Sequence, residues 1–506
     1  MKRNALLTLF VCCCTFSFSQ DLIFSRKFET LKKNVPLAII NSQPGYFCVL
    51  RYNKLVHDLV IERRAKPTAE MIGFTPLKLD SVNATWFDYE KLDYLFFEQN
   101  KTLYFLFEKD LNFKKTIYLK IIDSLNRSSG FIEIAKLEKE KTMFDFGFEF
   151  KTTNNNNILI VTSQSYLNSV KKTVSLFNIQ RRKIDWVKKL PLENDHTGYS
   201  FAFESNQAND LFYAVTKARV VGTQRRYMNH QQAEVPVLFY DTLTLVSYLN
   251  TDPVTIHKKP ILANISNLNS VKILPFDGQV LVQAHYALEA TEGGDKSIFF
   301  LNQRLSTDLS ENLYTVTSPL NEDLKQTLTF YDGSDSKQAA DKEYRLVKQY
   351  AGRDHIYTVC ERRDENYTKE LLVFNSDPFT GQTKQQYLVP RKVLIFKGRT
   401  RLKSIGEVML VTQAESLNLV VLEAPSNYKK APAEFNFHKF KRENNLWGSN
   451  IVMYTINRQG GISKKLLYAN ATFDLVPLHY QGDAMEDVIF YLNNNRYETF
   501  AFLNRQ

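Results

Sequence analysis

The stretch Ile158–Leu192, ILIVTSQSYLNSVKKTVSLFNIQRRKIDWVKKLPL, constrains the fold of this chain more than any other. An apolar run (Ile158–Val161) gives way to polar residues, and a second strand-like run follows at Thr173–Ile179. After a basic turn comes a third run, in which Ile184 and Trp186 are expected on one face and the lysines mostly on the other. Short apolar runs with period-two alternation, separated by turn-forming polar residues, specify an antiparallel meander. An innermost strand is expected just before it, around Phe144–Phe150, which would make Trp186 a packing residue between neighbouring sheets.

Weaker copies of this unit recur along the chain. Hairpins are expected over Tyr46–Arg64 and Thr102–Ile122, and between Leu211–Val215 and Val237–Tyr240. Further ones join Val280–His285 to Ile298–Leu301, His355–Cys360 to Leu371–Phe374, and Val488–Leu492 to Phe500–Leu503. Val408–Gln413 begins another, with either Leu417–Leu422 or Ile451–Ile456 as its partner. Helical turns are plausible only at Leu31–Val35 and Asp335–Val347. The repeat length is about sixty residues, somewhat above the ~40–50 of common propeller blades.

A chain of such units reads as an all-β protein, a β-propeller of seven or eight four-stranded blades, eight preferred. Radial repetition leaves few exposed strand edges. Leu22–Phe28 is strand-like with no unit before it, and the last hairpin lacks an outer strand. Pairing of the N- and C-terminal strands would therefore close the ring. A solenoid or two successive β-sandwiches remain the alternatives.

Residues 1–19 read as an export signal: Lys2 and Arg3, an apolar Ala5–Phe16, and small residues at Ser17 and Ser19 ahead of Gln20. Lipidation at Cys12, Cys13 or Cys14 is the rival, although a lipobox wants a small residue before its cysteine and Val11 stands there. Residues 20–506 then form one domain, with insertions near 219–234, 289–296 and 424–450. Cys48 and Cys360 remain, both inside apolar runs, so buried free thiols are expected rather than a disulfide framework. The net charge of +11 is dispersed, which argues against nucleic acid as a partner.

Hairpin followed by apolar-Asn-turn-apolar-aromatic, as in VSLFNIQRRKIDWVKKLPL and IVMYTINRQGGISKKLLY, resembles exported propeller-like proteins of Bacteroidota. The Ser-Phe-Ser-Gln signal end is similar to theirs. The resemblance implies an exported location (periplasmic, outer-membrane associated or extracellular) and a fold, and little chemistry. Asp80-Ser81-Val82, Asp123-Ser124-Leu125 and Asp241-Thr242-Leu243 match the O-glycosylation pattern of such proteins.

The residues point to no reaction. The eight histidines form no metal-ligand spacing, and His196, His285 and His355 read as ordinary strand-end histidines. The loop from Asp332 to Glu343 is oxygen-rich, but Lys337 stands where an EF-hand needs glycine. No nucleophile elbow or phosphate loop occurs, so no metal or cofactor is expected. Recognition is better motivated. Arg225, Arg226, Tyr227 and His230 in the first insertion, with Phe437, His438, Arg442 and Trp447 in the third, suit contact with an envelope protein or a glycan. The expectation is an exported binding or scaffold propeller acting through blade insertions. The alternative is a hydrolase or lyase acting on a polysaccharide in the central channel.

Overall fold

The computed structural model describes residues 22–503 apart from 30–33, 83–92, 191–198, 229–230, 289–296, 325–343, 395–408, 431–448, 483–487 and some shorter stretches. The chain forms an eight-bladed β-propeller, each blade a four-stranded antiparallel unit, arranged in a ring. Blade 1 runs Asn34–Asn41, Tyr46–Asn53, Asp58–Ala65 and Met71–Pro76, and blade 2 runs Tyr94–Gln99, Thr102–Leu111, Lys114–Ile122 and Ile132–Glu138. Blade 3 comprises Met143–Thr152, Ile158–Tyr166, Ser169–Asn178 and Lys183–Leu190, so the meander does gain its inner strand from the preceding segment. Blades 6 and 7 begin at Tyr344–Ala351 and Met409–Gln413.

Blades 4 and 5 are fused. Seven strands from Tyr199–Ser205 to Asn312–Pro319 form one sheet, through a continuous 22-residue strand, Thr255–Phe276. Its first half is the outer strand of blade 4, and its second half is the inner strand of blade 5. One expected pairing is corrected here. Leu211–Val215 lies against Thr244–Tyr248, while Val237–Tyr240 pairs further along, with Ala218–Gly222. Both stretches have strand composition, and only the turn position at the end of a long ribbon decides the register. The ambiguous seventh hairpin resolves by using both candidates: Ser416–Glu423 pairs with Met409–Gln413 on one side and Ser449–Ile456 on the other. Tyr344–Val347, read as a helical turn, is strand; the rest of that stretch back to Asp335 lies outside the described residues, as do Leu31–Lys33.

Both termini close the ring. Leu22–Phe24 is the outer strand of blade 8, with Leu22 opposite Leu503, and His479–Gly482 runs parallel to the inner strand of blade 1. Phe47 of blade 1 meets Phe500 and Phe502 of blade 8 edge-on at 5.0 and 5.8 Å. Beside them Arg51, 2% exposed, donates to Glu62 at 2.8 Å and forks onto both carboxylate oxygens of Glu498 at 3.0 and 2.8 Å. Tyr491 also donates to Glu498. The charges of this seam are buried and matched.

The repeated turn between third and outer strands explains the Asn motif. Asn178 Oδ1 accepts from the Arg181 N–H, Asn457 Oδ1 from Gly461, and Asp377 Oδ1 from Phe379 and Thr380. Each side chain replaces a backbone acceptor and lets the next residues turn through the left-handed region, at Arg182, Gly460 and Gly381. At Gly460 a Cβ would lie 1.6 Å from the Gln385 side-chain nitrogen of blade 6, so the close approach of two blades requires glycine. Side chains of one blade then bond these turns in the next: Asn302 to the Gly381 carbonyl at 2.9 Å, Arg304 to Pro378 at 2.6 Å, and Gln385 to Gln459 at 3.2 Å.

Trp186 packs where the sequence places it, with Leu176 and Leu190 of blade 3 against Tyr213 and Tyr248 of blade 4. The facing pattern of its strand differs from expectation. A bulge between Trp186 and Ile184 turns Ile184 outward, 40% exposed, while Lys188, two residues beyond Trp186 on an unbroken ladder, shares the Trp186 face and is buried. One inserted residue reverses the alternation on either side of it.

Candidate functional site

The first insertion is not a loop. Leu211–Met228 and Gln231–Leu249 extend 18 and 19 residues, and their pairing continues past the body of blade 4. Arg225 stands opposite Glu234, Arg226 opposite Ala233 and Tyr227 opposite Gln232. A two-stranded ribbon carrying Arg225, Arg226 and Tyr227 near its tip therefore extends the blade. His230 lies outside the described residues, and so do Phe437, His438, Arg442 and Trp447 of the third insertion, as well as 289–296.

The root of the third insertion is described. Glu423 ends the second strand of blade 7, opposite Asn450, which resumes the sheet after the insertion. Glu423 is 2% exposed, and Lys464 donates to its Oε1 at 2.6 Å. The Lys464 ammonium lies 5.0 Å from the ring centre of Tyr428, a residue of the insertion, and 5.5 Å from that of Tyr454. The insertion thus folds Tyr428 back onto the blade. Burial raises the pKa of the Glu423 carboxyl, and Lys464 opposes that shift. Burial, then the Glu423 charge, raises the pKa of the Tyr454 phenol. Among the described residues Glu423 Oε2 and the Tyr454 hydroxyl have no hydrogen-bond partner. One open acceptor and one open donor at the base of an insertion match a ligand hydroxyl, which donates and accepts at once. Nothing in the sequence singles these residues out: Glu423 is one glutamate closing an apolar run, and Lys464 is one of two adjacent lysines.

The histidines and thiols belong to the interior. His285 is fully buried, 5.6 Å from the Tyr344 ring, and burial lowers its pKa to about 3. His355 packs 4.6 Å from Tyr357. His196 and the Asp332–Glu343 loop lie outside the described residues. Cys48 and Cys360 are buried free thiols, as expected, and burial pushes Cys48 up to about 12. Among the described residues no three His, Cys, Asp or Glu side chains come together in a metal-holding group. Four buried carboxylates are committed to structure: Glu62 and Glu498 to Arg51, Glu370 to Tyr344 and Arg362, Glu98 to Gln43. Of the three glycosylation-like serines and threonines, Ser81 and Ser124 are exposed, whereas Thr242 is half-buried in mid-sheet opposite Ala263.

No protein-family model matches the chain, and no curated protein does. Solved structures similar to it include the polysaccharide lyase Uly1, at 7% identity and a TM-score of 0.39, over 93% of this chain and 90% of that one. The β-propeller domain of Vanderwaltozyma polyspora Nup133 is similar at 11% identity and a TM-score of 0.32, over 81% and 99%. An exo-1,5-alpha-L-arabinanase from a bovine ruminal metagenomic library is similar at 10% identity and a TM-score of 0.25, over 56% and 97%. At these values the likenesses carry no activity over to this chain.

Proposed function

We infer that this protein is an exported binding or scaffold propeller of the bacterial envelope, which recognises a protein or glycan partner through its blade insertions. The observation that carries the reading is the ribbon of blade 4, where two blade strands run on into an insertion bearing Arg225, Arg226 and Tyr227. A two-stranded ribbon gains little stability alone, and loops carried on a rigid scaffold are where binding usually resides. The open hydroxyl-sized donor and acceptor at the root of the third insertion give further support. The N-terminal stretch that reads as an export signal agrees with an exported location. Among the described residues no helix is long and apolar enough to cross a membrane.

The test compares the full chain with a variant lacking Arg225–His230 as baits on fractionated envelope from the native host. The reading predicts a defined partner held by the full chain and lost by the variant. Equal recovery by both baits contradicts it. So does absence of any partner together with turnover of a defined polysaccharide, which would favour an enzyme of the central channel.

A further inference from the structure

Among the described residues seven lysines and arginines are buried: Arg51, Arg63, Arg64, Lys120, Lys188, Arg304 and Arg362. Six of them donate to oxygen. Arg51 reaches Glu62 and Glu498, Arg64 reaches Glu62, and Arg362 reaches Glu370. Arg63 bonds the carbonyls of Asp123 and Ser124, Lys120 that of Leu77, and Arg304 that of Pro378. Lys188 is the exception. It is 8% exposed, and its Nζ has no acceptor among the described residues. Its contacts are ring faces: the Trp186 centroid at 4.5 Å and the Tyr248 centroid at 5.4 Å.

A second orphan lies beside it, since the buried Trp186 Nε1–H also has no acceptor among the described residues. Nearby oxygens are already engaged. Asp210, the carboxylate whose charge Lys188 feels, accepts from the Asn250 N–H at 2.7 Å and from Asn206 Nδ2 at 2.8 Å. The Tyr248 hydroxyl donates to the Lys189 carbonyl at 3.0 Å. Burial lowers the pKa of the Lys188 ammonium, as expected for a cation held by ring faces alone. A buried positive charge and two donors without an acceptor are complementary to an anion with two oxygens.

We propose that the seam between blades 3 and 4 binds a sugar carboxylate, that of a hexuronic acid residue, with Lys188 and the Trp186 indole N–H as donors to its oxygens. The half-buried indole provides a flat face for the pyranose C–H groups, and the carboxylate neutralises the ammonium. Both donors are covered in the free protein, and the ammonium lies over the indole, so binding requires the flexible Lys188 stem to swing aside and open the Trp186 ring and its N–H to the ligand. The site is independent of the blade 4 ribbon and stays in place when the ribbon is removed.

The probe is sodium glucuronate, titrated into the full chain by calorimetry at constant ionic strength, with glucose, sodium chloride and a glutamate peptide as comparisons. Glucuronate is expected to bind and glucose and chloride are not. Lys188→Met, which keeps the stem, is expected to weaken binding at least about tenfold, as loss of a charge-assisted hydrogen bond does. Trp186→Phe keeps a ring without the donor, and several-fold weakening is expected; it serves as the test if Lys188→Met does not fold. Glucuronate binding no better than chloride overturns the proposal, as does undiminished binding by a folded Lys188→Met. Binding of the glutamate peptide in preference to glucuronate overturns the sugar assignment.

Discussion

The seam that closes the ring and the seam between blades 3 and 4 solve the same problem differently. Each buries a cation between two blades against aromatic rings. At the closing seam Arg51 stands 5.7 Å from the Tyr491 ring and also has two carboxylates. At the other, Lys188 has the rings of Trp186 and Tyr248 and, among the described residues, no oxygen acceptor. A buried ion pair is costly to break, because removing one partner strands the other. A buried cation without a partner is costly as it stands, and removing it relieves that cost. The first seam is therefore built to stay shut, and the second stands to gain stability from an anionic ligand.

The largest effect is expected from Glu498→Ala. It strips the forked acceptor from Arg51 and the acceptor from Tyr491, and should cost about 3–5 kcal/mol in chemical denaturation. Trp186→Ala comes next, at about 3 kcal/mol, toward the lower end for an aromatic truncation because the ring is only half-buried. Lys188→Met should be neutral or stabilising by up to about 1 kcal/mol, with the melting temperature unchanged or raised. A clear loss of stability there would erase the contrast between the seams. Deletion of Arg225–His230 should leave the melting temperature nearly unchanged, because the blade pairing from Leu211 to Thr216 remains.

A separate pH effect follows from His285. Burial holds its folded pKa near 3, below the ~6.5 of an exposed histidine. The unfolded chain therefore binds the extra proton between those values. The stability that His285 contributes is complete above about pH 6.5 and is lost as pH falls toward 3. Replacing it by phenylalanine should flatten the acid limb of the stability profile in that window.

Much of the fold was legible because blades repeat. The apolar runs, the Asn-capped turns and the unpaired Leu22–Phe28 are local signals, and together they indicate a ring closed by both termini. Register in the fused sheet was not legible. Val237–Tyr240 and Leu243–Tyr248 are equally apolar, and choosing between them requires knowing how far the ribbon extends. The bulge at Asp185 was hidden for a similar reason: period-two reading assumes an unbroken ladder, and the break turned Ile184 outward. The residues at the open donors and acceptors, Lys188, Glu423 and Tyr454, are common types in ordinary strands. What distinguishes them is one buried polar atom each without a hydrogen-bond partner among the described residues, a property of the assembled blades and not of the sequence.

The central contrast is tested most directly by the titration of the Lys188 side chain itself, followed by NMR of the ε-methylene and ammonium resonances with and without glucuronate. The account predicts a free ammonium that titrates below an ordinary lysine and moves upward when the carboxylate binds, with tighter binding on the acid side of that titration. A Lys188 titration that is the same with and without glucuronate would contradict it.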